Sequence, residues 1–181
     1  KLGGGALSLL GANTYAGGTF INNGALIAST STLPANRNIT VIGSGALVFD
    51  QAANGTFGGS ITGGGTIQKL GTGAVTLGQT TTSPVDLRAG TLYFTSGLGA
   101  TSVAAGSTLG GSGTITGNLL NHGTVSPGNS PGTITVNVLD DGPVAVNDGN
   151  FVNALTPING NVLTNDDAGA DGLGAVTAVT F

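Results

Sequence analysis

Apolar and polar residues alternate along this chain in short runs, and each run is introduced by a glycine and a small residue. The phrase reads Gly5-Ala6-Leu7-Ser8-Leu9, Gly24-Ala25-Leu26-Ile27, Gly45-Ala46-Leu47-Val48-Phe49 and Gly65-Thr66-Ile67-Gln68. It continues as Gly90-Thr91-Leu92-Tyr93-Phe94, Gly106-Ser107-Thr108-Leu109 and Gly123-Thr124-Val125. The glycines are 19, 21, 20, 25, 16 and 17 residues apart. A two-residue alternation predicts strands with one face buried. A return near every twenty residues predicts that these strands stack as coils of a solenoid. In Ile39-Thr40-Val41 and Ala74-Val75-Thr76-Leu77 the branched apolar side chains are expected inside and the threonines outside. Between the runs lie Asn22-Asn23-Gly24, Ala53-Asn54-Gly55 and Gly63-Gly64-Gly65, whose steps suit sharp corners. A coil of three short strands and three corners uses about twenty residues. The fold class expected is therefore all-β, a parallel β-helix, with a meander of hairpins or another all-β sheet as the alternative.

Composition agrees with that pattern. Glycine supplies 35 of 181 residues, no Glu, Cys, Met or Trp is present, and only 7% of residues are charged. Helices are disfavoured, and a soluble exterior has to be made from Thr, Ser, Asn and backbone. Without cysteine there is no disulfide framework and no thiolate metal site. No stretch is long and apolar enough for a membrane helix. The chain opens at Lys1 inside a repeat phrase, which points to a fragment or a processed product.

Charge divides the chain in two. Residues 1–139 carry Lys1, Arg37, Lys69 and Arg88 against Asp50 and Asp86, while residues 140–181 carry six Asp and no Lys or Arg. The two segments are read as repeats (1–139) and a short acidic C-terminal β segment (140–181). Four scattered basic residues make no patch for nucleic acid.

Longer phrases carry a family resemblance. Residues 10–26 and 61–77 resemble the autotransporter passenger-associated repeat. The stretch from Gly111 to Leu119, with Gly123 to Thr133, is similar to the closing repeat of such passengers. The clearest internal match sets Lys1-Leu2-Gly3 and Gly5-Ala6-Leu7-Ser8-Leu9 against Lys69-Leu70-Gly71 and Gly73-Ala74-Val75-Thr76-Leu77. The resemblance implies a right-handed parallel β-helix on a bacterial surface or shed from it. From Asp140-Asp141-Gly142-Pro143 onward the chain resembles the start of a cadherin-like, VCBS-type adhesin module. That segment is read as a partial sandwich, a cap, or strands added to a neighbour.

Candidate chemistry is sparse. Polysaccharide lyases and hydrolases built on this architecture need paired carboxylates, or a metal with a basic residue, in one groove. The repeats offer Asp50, Asp86, Arg37, Arg88 and Lys69, of which Asp86 and Arg88 share a strand face. As a surface ion pair these two contribute little; with Tyr15 they are the candidate glycan contacts. Of Tyr15, Phe20, Phe49, Phe57, Tyr93 and Phe94, four lie in apolar phrases and read as core, and Tyr15 reads as the exposed one. His122 has no ligating neighbour and reads as a corner residue. Gly63-Gly64-Gly65 lacks the Lys-Ser/Thr of a phosphate loop. In the tail, Asp148, Asp166, Asp167 and Asp171 have oxygen ligands suited to Ca²⁺. The function expected is non-enzymatic: an extracellular or surface stalk or adhesin with self-association, a host or matrix surface, or glycans as partners. The alternative is a polysaccharide-binding or polysaccharide-degrading β-helix.

Overall fold

The computed structural model describes residues 1–128 and Thr135–Val136, within the first of two units, Lys1–Asn137. The expectations placed on residues 140–181 lie outside the described residues. Strands β1 (Ala6–Ser8), β2 (Thr19–Ala28), β3 (Ile39–Asp50), β4 (Gly55–Phe57) and β5 (Ile61–Thr62) come first. They are followed by β6 (Thr66–Leu70), β7 (Ala74–Leu77), β8 (Val85–Leu87), β9 (Thr91–Phe94), β10 (Gly97–Leu98) and β11 (Thr101–Val103). The last are β12 (Thr108–Gly111), β13 (Thr114–Ile115), β14 (Leu119–Asn121), β15 (Thr124–Pro127) and β16 (Thr135–Val136). No helix occurs among the described residues, and every pairing is parallel. The architecture is the β-solenoid expected, with about seven turns.

Each full coil has three faces. The first holds the opening halves of β2 and β3, then β5, β10, β13 and β16, linked through bridges at Thr81. The second holds β1, the closing halves of β2 and β3, then β6, β8, β11 and β14. The third holds β4, β7, β9, β12 and β15. β2 and β3 pass from the first face to the second through a register shift between Ile21 and Asn23, so one bulged strand serves two faces. In the first two coils, residues 9–18 and 29–38 take the place of a third-face strand, tied by Asn13 N–H donating to Thr32 O at 3.1 Å.

Stacking one coil on the next lines up identical positions. On the second face Leu26, Leu47, Ile67 and Val85 form one inward column, and Ala28, Phe49, Lys69, Leu87 and Val103 form another. On the third face Val75, Leu92 and Leu109 stack beside Phe57, Leu77 and Phe94. On the first, Ile39, Ile61, Leu98 and Ile115 do the same. These side chains are almost wholly buried and, apart from Lys69, belong to one apolar core. Each of the Val, Leu, Ile and Phe side chains contributes about 1.5–3 kcal/mol by leaving water, so stability is spread along the axis and depends on neighbouring coils being present. At the corner before the second face Gly24 has φ +67°, and a Cβ there would stand 2.4 Å from the carbonyl oxygen of Gly5. Only glycine allows both that rotation and that approach.

Candidate functional site

Two of the shallow grooves formed by described residues on the exterior of the coils hold Asp86 and Tyr15 separately. One, of about 320 Å³, runs over the outer side of the second face between Thr66, Pro84, Asp86, Ser102, Asn118 and Leu120. Asp86 lies outward because β8 alternates about buried Val85 and Leu87. Its carboxylate accepts from Arg88 Nε at 2.5 Å and from Ser102 Oγ at 3.4 Å. The Arg88 side chain is 54% exposed and that of Asp86 27%, so this pair works in high dielectric. No aromatic ring and no second carboxylate lines this groove.

The other groove, of about 310 Å³, lies at the first coil between Lys1, Leu7, Leu9, Tyr15, Phe20 and Leu26. Tyr15 is 37% exposed, and its hydroxyl shares a 2.7 Å hydrogen bond with Thr19 Oγ1. Leu7, on the first of the described strands, is 47% exposed, while the next residue in its column, Leu26, is buried. Tyr15 therefore belongs to the first coil and the Asp86–Arg88 pair to a later one, and the structure does not gather the three glycan candidates into one groove.

The aromatic expectation needs correction. Phe49, Phe57 and Phe94 are buried, with the Phe49 and Phe57 rings 5.8 Å apart. Phe20 and Tyr93, however, are 65% and 43% exposed. Both occupy outward positions of alternating strands, Phe20 in register with Thr40 and Tyr93 in register with Thr76. A Cβ at Gly110 would meet the Tyr93 ring at 2.8 Å, so the ring covers the neighbouring strand where it lacks a side chain. His122 lies in the bend after β14. Among the described residues no group of three or more His, Cys, Asp or Glu could hold a metal. Asp148, Asp166, Asp167 and Asp171 are outside them.

In sequence Lys69 reads only as one of the scattered charges of the repeats. It is fully buried in the core column between Phe49 and Leu87. Burial lowers its pKa from 10.5, and the nearby charge of Asp50 partly opposes that shift. Gln51 is also buried at the corner between the second and third faces. It accepts from Thr30 N–H at 2.8 Å and donates to Ala53 O and Ala74 O at 2.7 and 3.1 Å, touching three successive coils. A long polar residue just after an apolar alternating run is the only trace such residues leave in sequence.

Comparison with known proteins adds two findings. The passenger-associated-transport-repeat family profile matches residues 1–28, which hold β1, the loop after it and β2. The chain is also similar to the adhesin BmaC autotransporter of Brucella suis biovar 1 (strain 1330), at 35% identity over 212 aligned residues. That alignment covers 97% of this chain and 6% of the relative, so the chain spans a small part of that protein's length. No solved structure matches.

Proposed function

We propose that this chain is a non-enzymatic structural and adhesive segment of a secreted or surface-displayed bacterial protein, a rigid solenoid spacer that also presents contacts. The observation that carries the reading is the second-face parallel ladder, continuous from β1 to β14. The inward columns are apolar save for Lys69, Thr81 and Thr101, and the charge-poor exterior holds one exposed ion pair among the described residues. Such a surface suits a rod whose work is mechanical and whose contacts are made by corners and loops. The passenger repeat at residues 1–28 and the similarity to an autotransporter adhesin support a place on or outside the cell.

The finer part of the proposal is end-to-end assembly. Among the described residues β1 pairs on one side, and a further parallel strand, from another coil or from a second copy, could extend the stack beside Leu7 and Leu26. An unpaired strand edge with apolar side chains is a template for a further parallel strand. Electron microscopy of the purified chain at physiological salt tests this directly. Filaments with a regular axial repeat support assembly, whereas isolated short rods at high concentration remove it and leave a spacer. Binding of Ca²⁺ by Asp148, Asp166, Asp167 and Asp171 is a separate proposal resting on ligand chemistry. Titration calorimetry at millimolar Ca²⁺ should give heat in the parent chain and none once those residues are changed to Asn; no heat in the parent removes it. Incubation with acidic polysaccharides separates the non-enzymatic reading from polysaccharide degradation, since released oligosaccharides overturn the first; glycan-array binding lost on Tyr15→Ala locates a glycan contact.

A further inference from the structure

Lys69 is the one ionisable side chain in a column otherwise made of Ala28, Phe49, Leu87 and Val103. Its ammonium group reaches the corner that follows β6. It donates to Leu70 O at 2.6 Å, to Gly71 O at 2.8 Å and to Ala89 O at 3.2 Å. Two acceptors belong to its own corner and the third to the corner of the next coil. Neither Gly71 O nor Ala89 O receives a backbone N–H among the described residues, because the chain is turning there and the ladder is interrupted.

The same wiring recurs twice. Lys1 Nζ donates to Gly3 O, two residues on, and to Asn23 O of the next coil, the latter at 2.8 Å. Gln51 Nε2 donates to Ala53 O, two residues on, and to Ala74 O of the next coil. In all three a long side chain beside a corner donates to a carbonyl within its own turn and to one about twenty residues ahead. The two lysines do this at different corners. The Lys1 ammonium terminus donates to Phe20 O and Asn22 N–H donates to Lys1 O, which sets Lys1 beside Ile21 at the end of the first face. Lys69 closes the second face. The Lys-Leu-Gly phrases, 68 residues apart, therefore lead into different sheets, Ala6–Ser8 on the second face and Ala74–Leu77 on the third.

We propose that Lys-Leu-Gly is a portable corner clamp. Its amine takes the place of the inter-coil N–H that a turning backbone fails to supply, and so fastens a coil to its successor at whichever face change the phrase occupies. The phrase specifies a corner and not a face, which lets one repeat unit be used at any phase around the solenoid. The rival account is that Lys69 is a tolerated buried charge whose desolvation outweighs its contacts.

Two substitutions separate these accounts. Lys69→Met keeps length and apolar contact but removes every donor, whereas Lys69→Gln restores a shorter donor of the kind Gln51 supplies. The clamp predicts a melting temperature about 5 °C or more lower for the Met variant. It also predicts about tenfold faster amide exchange at Thr72–Ala74 and Ala89–Thr91, with much of both recovered by Gln. A Met variant that melts at or above the parent temperature with unchanged exchange overturns the proposal. If the Met variant does not fold, Lys1→Met decides, since Lys1 is in the first coil and the remaining coils do not rest on it. Faster exchange confined to Gly3–Gly5 and Asn23–Gly24 supports the clamp, and unchanged exchange there overturns it.

Discussion

Gly90 and Gly106 have nearly the same backbone rotation, φ +70° and +79°, but different surroundings. A Cβ on Gly90 would stand 2.5 Å from Gly71 O, 2.9 Å from Gly73 O and 3.0 Å from Lys69 Nζ, whereas one on Gly106 meets nothing within 4 Å. Alanine at positive φ costs about 1–2 kcal/mol, offset by about 0.4–1 kcal/mol from the reduced freedom of the unfolded chain. Gly106→Ala should therefore lose about 1 kcal/mol. Gly90→Ala carries the same term plus forced separation of two coils, and overpacking of that kind costs about 1–3 kcal/mol more. The displaced atoms are backbone oxygens fixed by neighbouring turns, so little relief is available. Urea unfolding followed by far-ultraviolet circular dichroism measures both, compared at a common slope. Equal losses would mean that rotation alone selects glycine at Gly90, and that close approach of the preceding corner has no energetic weight.

Three further outcomes follow from the same geometry. Leu47→Ala, at a fully buried position of the second-face column, should cost about 2–5 kcal/mol, while Leu10→Ala, at 91% exposure, should change the unfolding midpoint little. A double-mutant cycle on Asp86 and Arg88 should give a coupling below about 1 kcal/mol that fades with added salt; a larger, salt-insensitive value would contradict the exposed pair. Because burial holds the folded pKa of Lys69 below 10.5, the unfolded chain binds more protons between that lowered value and 10.5. Stability should rise with pH across that window. The rise should vanish in Lys69→Met, and a fall with pH that depends on Lys69 would contradict the assignment.

The inward columns were legible because alternation is a direct projection of which side of a strand meets the core: Leu26, Leu47 and Ile67 each follow a glycine phrase and stack in register. The phrase was less faithful as a coil counter. Gly5, Gly24, Gly45 and Gly65 introduce second-face segments, but Gly90, Gly106 and Gly123 introduce third-face strands. The 25-residue gap between Gly65 and Gly90 is a change of face and not a long coil. Lys69 was hidden because its burial depends on carbonyl oxygens of two corners, and carbonyls carry no side-chain signature. Tyr93 was hidden for a similar reason: its outward ring lies over Gly110, a residue of the next coil. The separation of Tyr15 from Asp86 and Arg88 depends on how many coils intervene, which spacing near twenty conveys only once the corners are assigned.

Along the second face the sequence spacing of stacked positions varies from turn to turn. Leu26 and Leu47 are 21 residues apart, Ile67 and Val85 are 18, Val85 and Thr101 are 16, and Thr101 and Leu119 are 18 again. At about 3.3 Å per residue the path around the axis differs by roughly 16 Å between the longest and the shortest of these turns. Large buried rings occur in long and short turns alike, Phe49 and Phe57 in the 20-residue turn from Leu47 to Ile67 and Phe94 in the 16-residue turn. The strands stay in register while the residues between them are gained and lost, so it is the corners that absorb changes of length, and a change of a few residues there should leave the ladder in place.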